Sequence, residues 1–210
     1  IAEDKEGNIW LATLFGLNKL DRKTGKFIHY FHDSANSNSI SSNFVNRLIF
    51  DHDGILWIGS QKGGLDRFDI YQNKFTHYKH NEADLSSLSD DDVTALKEDS
   101  KHRLWVGTLS HGLNLFDRKK ETFTRYQSQP GVNASISGGY VSTIYEDIAG
   151  RLWVGTEDGG LNLFDPGKGT FKHYLQNKKD SGTISGYTVL ALSMDLNGNL
   201  WVGTENNGVN

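Results

Sequence analysis

The sequence predicts an all-β chain: a β-propeller of four-stranded antiparallel blades, with about 4.4 repeats of 48 residues in its 210. Three observations predict it. First, Trp10, Trp57, Trp105, Trp153 and Trp201 are spaced by 47, 48, 48 and 48 residues. Second, other residues keep the same beat: Phe27, Phe75, Phe123 and Phe171; Tyr30, Tyr78, Tyr126 and Tyr174; Val45, Val93, Val141 and Val189; Asp51, Asp99, Asp147 and Asp195. Third, the runs between these markers are short, aromatic and β-branched, and Gly and Asp punctuate them. Units of this length with four short strands each are the signature of propeller blades.

In the unit around Trp57, a first strand is predicted over 45–50, ending at the turn "DHDG". The second, over 56–59, reads "LWIG". It is apolar throughout rather than alternating, as expected where both faces of a sheet are covered. A Gly-rich hairpin, "SQKGG", leads to the third strand over 65–68. The turn "FDIYQNK" leads to the fourth over 74–78. A helical repeat is excluded, because Gly beside β-branched residues is poor in a helix interior and no i, i+3, i+4, i+7 stripe is sustained. The blades are placed at 1–32 (lacking most of its first strand), 43–80, 91–127, 139–176 and, incomplete, 187–210. Such an open stack is expected to be part of a larger ring.

All five tryptophans are assigned to blade-to-blade interfaces, where each indole N–H needs an acceptor. Gly59, Gly107, Gly155 and Gly203 are expected to admit the next blade closely, with Ala12 in the first unit. The repeated aspartates, Asp4 included, precede tight turns and are expected to accept backbone N–H groups.

Composition excludes several function classes. With 22 basic and 26 acidic side chains the net charge is −4, which argues against nucleic acid as a partner. No apolar run is long enough to span a bilayer, so no membrane contact by this segment is expected. The absence of cysteine removes disulfides, thiolate metal sites and cysteine nucleophiles.

Five stretches, "EDKEGNIWLAT", "FDHDGILWIGS", "EDSKHRLWVGT", "EDIAGRLWVGT" and "MDLNGNLWVGT", resemble the two-component regulator propeller repeat. Its core is E-D-x-x-G-x-(L/I)-W-(V/I)-G-T. Phe50 and Met194 depart from the Glu, and His102 from the turn Gly. The resemblance implies a seven-bladed ring in the periplasmic sensor region of a hybrid two-component receptor of the Bacteroidetes type. It also implies recognition of oligosaccharides from polysaccharide breakdown, with membrane helix and kinase in other domains.

Candidate chemistry is expected where the units differ. His29, His77 and His173 share one repeat position on outermost strands, where they cannot converge on a metal. No carboxylate pair stands apart from the repeat, as a glycosidase would require. No catalytic residue, metal or cofactor is therefore expected. The variable loops on one rim are the expected ligand site: Phe15, Lys62, His111, Glu157 and Asp158 in hairpins, Phe44, Tyr140 and Tyr187 before first strands, and Arg47, Lys97 and Tyr145 on first strands. Aromatic faces beside polar groups suit a sugar or another small ligand. Expected partners are that ligand, further blades or domains of the same polypeptide, and a second copy in a homodimer. A protein-binding scaffold, and behind it a propeller-fold lyase or hydrolase, are the alternatives.

Overall fold

A computed structural model describes residues 1–210. The chain has no helix and forms meander sheets with strands in sequence order. The first sheet holds β1 (Ala2–Glu3), β2 (Ile9–Thr13), β3 (Gly16–Asp21) and β4 (Lys26–Tyr30). The second holds β5 (Val45–Phe50), β6 (Leu56–Ser60), β7 (Gly64–Asp69) and β8 (Lys74–Tyr78). The third holds β9 (Val93–Glu98), β10 (Leu104–Thr108), β11 (Leu113–Asp117) and β12 (Thr122–Tyr126). The fourth holds β13 (Val141–Glu146), β14 (Leu152–Thr156), β15 (Leu161–Asp165) and β16 (Thr170–Tyr174). The last contains β17 (Val189–Met194) and β18 (Leu200–Thr204). A bridge from Gly203 to Val209 begins its third strand.

The core lies between sheets. Trp10 and Leu17 of the first blade pack with Val45, Leu56, Ile58, Phe68 and Phe75 of the second. Trp57, Leu65 and Tyr78 meet Leu104, Val106, Phe116 and Phe123 of the third. Trp105 and Leu113 meet Leu152, Val154, Phe164 and Phe171 of the fourth. Each of these indoles sits edge-on to an aromatic ring of the following blade: Trp10 to Phe68 at 6.0 Å, Trp57 to Phe116 at 5.2 Å and Trp105 to Phe164 at 5.2 Å. Such edge-to-face pairs add to the gain from area burial. The expected close approach is also seen. A Cβ on Gly107 would lie 2.5 Å from Val141 Cγ1, and one on Gly59 would lie 2.4 Å from Val93 Cγ1.

The indole acceptor is the repeated aspartate. Trp10, Trp57, Trp105, Trp153 and Trp201 donate to Asp4, Asp51, Asp99, Asp147 and Asp195 at 2.9, 2.8, 2.8, 2.9 and 3.2 Å. The other carboxylate oxygen accepts turn N–H groups, such as those of Lys101 and Arg103 on Asp99. Two recurring residues six apart are thus one device, a turn cap that also pins the interface side chain.

A β-bulge interrupts the pairing of each complete first strand and frees its second residue. That residue reaches the next blade: Asn46 donates to the Val93 carbonyl at 3.1 Å, Thr94 to Val141 at 2.6 Å, and Ser142 to Val189. At the same place in β17 stands Leu190, which is exposed.

Trp201 departs from its expected place. It is 49% exposed, while the other four tryptophans are at most 8% exposed, because no blade covers its face. Phe27 on the opposite end face is also 49% exposed, against 6–7% for Phe75, Phe123 and Phe171 at the same repeat position. Two uncovered apolar sheet faces favour association. The isolated chain is expected to scatter light as a species heavier than its 23.5 kDa. A monodisperse particle of monomer mass would contradict this.

Candidate ligand-binding rim

The meander places the loops between fourth and first strands, and the hairpins between second and third strands, on one rim. A recurring side chain on the third strand holds each loop. Asn114 and Asn162 accept the N–H groups of Ser89 and Ser137 at 3.1 and 3.0 Å, and Asn210 that of Ser185 at 2.9 Å. The second blade has the buried Asp66 instead. It accepts from the Ser41 N–H at 2.8 Å and the Ser41 hydroxyl at 2.5 Å, and pairs with His77 Nδ1 at 2.7 Å.

His77 Nε2 lies 2.9 Å from the Ser37 carbonyl. Its partners at the same repeat position make the same kind of contact. His173 meets the Ser135 carbonyl at 2.6 Å, and Arg125 donates to the Ser87 carbonyl at 2.9 Å. These side chains fasten loops on separate blades, and His29, His77 and His173 do not converge.

The bond to Asp66 is the main cause that holds the His77 imidazole above its usual range, against burial, which lowers it. A raised folded-state pKa contributes stability fully present below the unfolded value near 6.5 and lost as pH rises through the folded value. In Asp66→Asn, which restores the residue type of Asn18, Asn114 and Asn162, the His77 resonance in an NMR titration is expected to move back toward about 6.5. An unchanged titration would remove Asp66 as the cause.

The structure sorts the rim candidates into groups. Tyr140 lies beside Glu157, within reach of the Arg47 charge. Burial and then the adjacent Glu157 carboxylate push the Tyr140 phenol up, while the Arg47 charge, two blades away in sequence, acts against them. The Glu157 N–H also donates to the Tyr140 carbonyl at 3.1 Å. Asp158 and Tyr187 line a cleft of about 310 Å³ with Gln129, Asn133, Ser135 and His173. Tyr187 also borders a second cleft of about 180 Å³ with Glu205, Asn206 and Asn207.

Phe15 and Phe44 are exposed at the first and second blades. The neighbouring Gly16 N–H donates to the Asn43 carbonyl at 2.7 Å, which ties this hairpin to the loop bearing Phe44. Lys62 has a left-handed backbone, φ 56°, and its N–H donates to Asp92 at 2.8 Å. His111 lies 3.4 Å from Asp90.

Two candidates fall outside the rim. Lys97 and Tyr145 are the fifth residues of β9 and β13, next to the turns of the opposite face. Tyr145 packs against the cluster of Trp153, Leu161, Val189 and Val202, so it serves the interface between blades. Sequence reasoning missed Gln129, Asn133 and His173 as cleft residues. The only signal for Gln129 and Asn133 was the "QPGV" composition of a loop no longer than its counterparts, and His173 was visible only as a recurring strand residue.

The family model described as "Two component regulator propeller" matches residues 39–62, 87–110 and 135–158. No curated protein gives a significant match. The extracellular domain of BT4673 from B. thetaiotaomicron, described as part of a one component or hybrid two component system, is 20% identical with a TM-score of 0.79. The match covers 99% of this chain and 26% of that one. The extracellular domain of BT3049 from the same organism, described as a hybrid two component system, is 23% identical with a TM-score of 0.61. It covers 100% of this chain and 39% of that one. PorZ of Porphyromonas gingivalis, described as a bacterial surface component of the type-IX secretion system, is 18% identical with a TM-score of 0.73, covering 100% and 31%. This chain therefore spans less than two fifths of each of these proteins, and at such identities the likeness is one of fold.

Proposed function

From the premise that this chain carries two-component regulator propeller repeats, we propose that it is a non-catalytic, ligand-sensing propeller segment of a hybrid two-component receptor. In this reading it lies on the periplasmic side of the inner membrane and recognises an oligosaccharide. The ring is completed by further blades of the same polypeptide. The repeat pattern carries the reading, and the rim chemistry agrees with it. Tyr140 has the Glu157 carboxylate beside it and the Arg47 charge within reach, and Tyr187 lines a cleft with Gln129, Asn133 and Asp158. Sugars are bound by such faces together with oriented polar groups.

A catalytic role finds less support. General acids need a carboxyl held protonated near neutrality. The carboxylates with shifted values, Asp4, Asp21, Asp51, Asp84, Asp99, Asp117, Asp147 and Asp195, are all shifted downward, and all cap turns or loops. A protein-binding scaffold is the second reading, favoured by the exposed pair Leu14 and Phe15 at one hairpin tip.

Calorimetric titration of the chain against a broad oligosaccharide panel tests the proposal. At least one glycan is expected to bind, and Tyr187→Ala is expected to weaken it about tenfold, the scale of a lost aromatic contact of about 1.4 kcal/mol. Silence across the panel, with a protein partner retained on the Leu14–Phe15 tip, would replace the sensor reading with the scaffold one.

A further inference from the structure

The turns on the face opposite the rim follow a strict pattern, and it breaks at one junction. The fourth turn position is Gly7, Gly54, Gly150 and Gly198 in four blades, each with positive φ. In the third blade it is His102, held at φ 59°. A non-glycine residue there is conformationally strained. The residue after the repeated aspartate is Lys5, Ser100, Ile148 and Leu196 in four blades and His52 in the second. The two departures meet. The His52 and His102 rings stack with centroids 3.9 Å apart and planes at 27°.

Glu98 completes the group. In the repeat this glutamate caps the preceding blade's turn, as Glu146 does for Ser100 at 2.6 Å. Glu98 takes the His52 N–H at 2.8 Å and also lies 2.7 Å from His52 Nδ1. Ligating atoms of His52, Glu98 and His102 all lie within 4.8 Å of one another, and those of Asp51, His52 and Asp53 do so as well. Arg118 bonds Glu98 at 2.8 Å and Asp51 at 2.7 Å, and Lys5 reaches the His52 carbonyl. Three carboxylates against these two cations leave the cluster net negative when the imidazoles are neutral.

We propose that His52, Glu98 and His102 bind one divalent transition-metal ion of the imidazole-seeking kind, zinc among them, across the junction of the second and third blades. Two imidazoles and a carboxylate are the donor set such ions select, with water completing the coordination. Binding requires a rotation of the half-exposed His52 and the exposed His102 rings out of their stack. Glu98 keeps its second oxygen on the His52 N–H, so the turn stays capped. The ion would clamp two blades together at the face away from the ligand rim. The site does not depend on the sensor reading above.

The test is titration of zinc into the full chain by calorimetry, with copper(II) electron paramagnetic resonance as the ligand-specific readout. The expected result is one equivalent bound, with nitrogen hyperfine structure from two imidazoles. His102→Gly restores the turn residue of the other blades and is expected to keep the fold, yet bind at least tenfold more weakly with one nitrogen lost. His52→Ser, the residue type at position 100, is expected to do the same. Absence of binding in the parent chain, or affinity unchanged in either variant, would overturn the proposal.

Discussion

Asp99→Ala is expected to destabilise the chain by about 3–4 kcal/mol, read as a fall in the urea or thermal midpoint. The carboxylate accepts from the Trp105 indole at 2.8 Å, from two turn N–H groups, and from Arg103 Nε at 2.6 Å, in a site 4% exposed. Alanine leaves the buried indole N–H without an acceptor and Arg103 without its counter-ion. An unsatisfied buried donor costs about 1–3 kcal/mol and each lost turn bond about 1, while the part-exposed Arg103 turns to water and adds little. The internal control is Asp195→Ala. The indole and turn bonds recur there, with the Asn199 amide in place of Arg103, but Trp201 is half-exposed and water replaces the lost acceptor. A loss below about 1 kcal/mol is expected, as for exposed hydrogen bonds. Equal losses at the two sites would refute the view that burial makes this pair matter.

The same carboxylates set the acid limit. Burial raises the pKa values of Asp51, Asp99 and Asp147, but the bonds from Trp57, Trp105 and Trp153 and from the turns outweigh it, and the net direction is downward. A depressed folded-state pKa contributes stability present above the unfolded value, near 3.9, and lost as pH falls through the folded value. The chain is expected to keep its tryptophan fluorescence maximum down to about pH 4 and to lose it below.

The second large effect is expected from Gly107→Val. Even the first carbon of a side chain would lie 2.5 Å from Val141 Cγ1, 2.8 Å from Val141 Cβ and 3.0 Å from Ala95 Cβ. These belong to rigid strands rather than flexible side-chain ends, so the blades must separate. Overpacking of this kind costs about 1–3 kcal/mol, and more where the backbone is trapped. The isolated Gly107→Ala change is expected to cost about 2 kcal/mol. Combining it with Val141→Ala is expected to cost clearly less than the two single losses together, since one change makes room for the other. Additive losses would mean that the two positions do not touch. Gly203→Ala supplies the contrast, because its nearest neighbour is 3.4 Å away and no blade covers it. It is expected to be neutral or slightly stabilising.

The period of 48 made the blades, their strands and the interface tryptophans legible, because whatever recurs must satisfy the same neighbour each time. What recurrence cannot show is how a departure is repaired. Ile55 stands where Asn8, Arg103, Arg151 and Asn199 bond their turn aspartates, and nothing nearby in sequence compensates. The compensation comes from Arg118, 67 residues after Asp51, whose Nη1 reaches that aspartate at 2.7 Å and whose guanidinium lies over Trp57. The meeting of His52 and His102 was hidden in the same way. His102 was visible as a missing glycine, but its partner was set by the stacking of two blades. Tyr145 was read as a rim aromatic from its place on a first strand. The side-chain alternation that turns it into the interface depends on the bulge at the strand's start.

That bulge has a consequence for how such a chain can change over generations. The third and fourth units each carry both the donor for the successor, Thr94 and Ser142, and the carbonyl that receives the predecessor's donor, Val93 and Val141. At this contact such a unit can be duplicated whole without leaving an unmatched seam. The second and third blades have lost that interchangeability. Ile55 needs Arg118 and His52 faces His102, so these two blades can be inherited only as a pair and in this order.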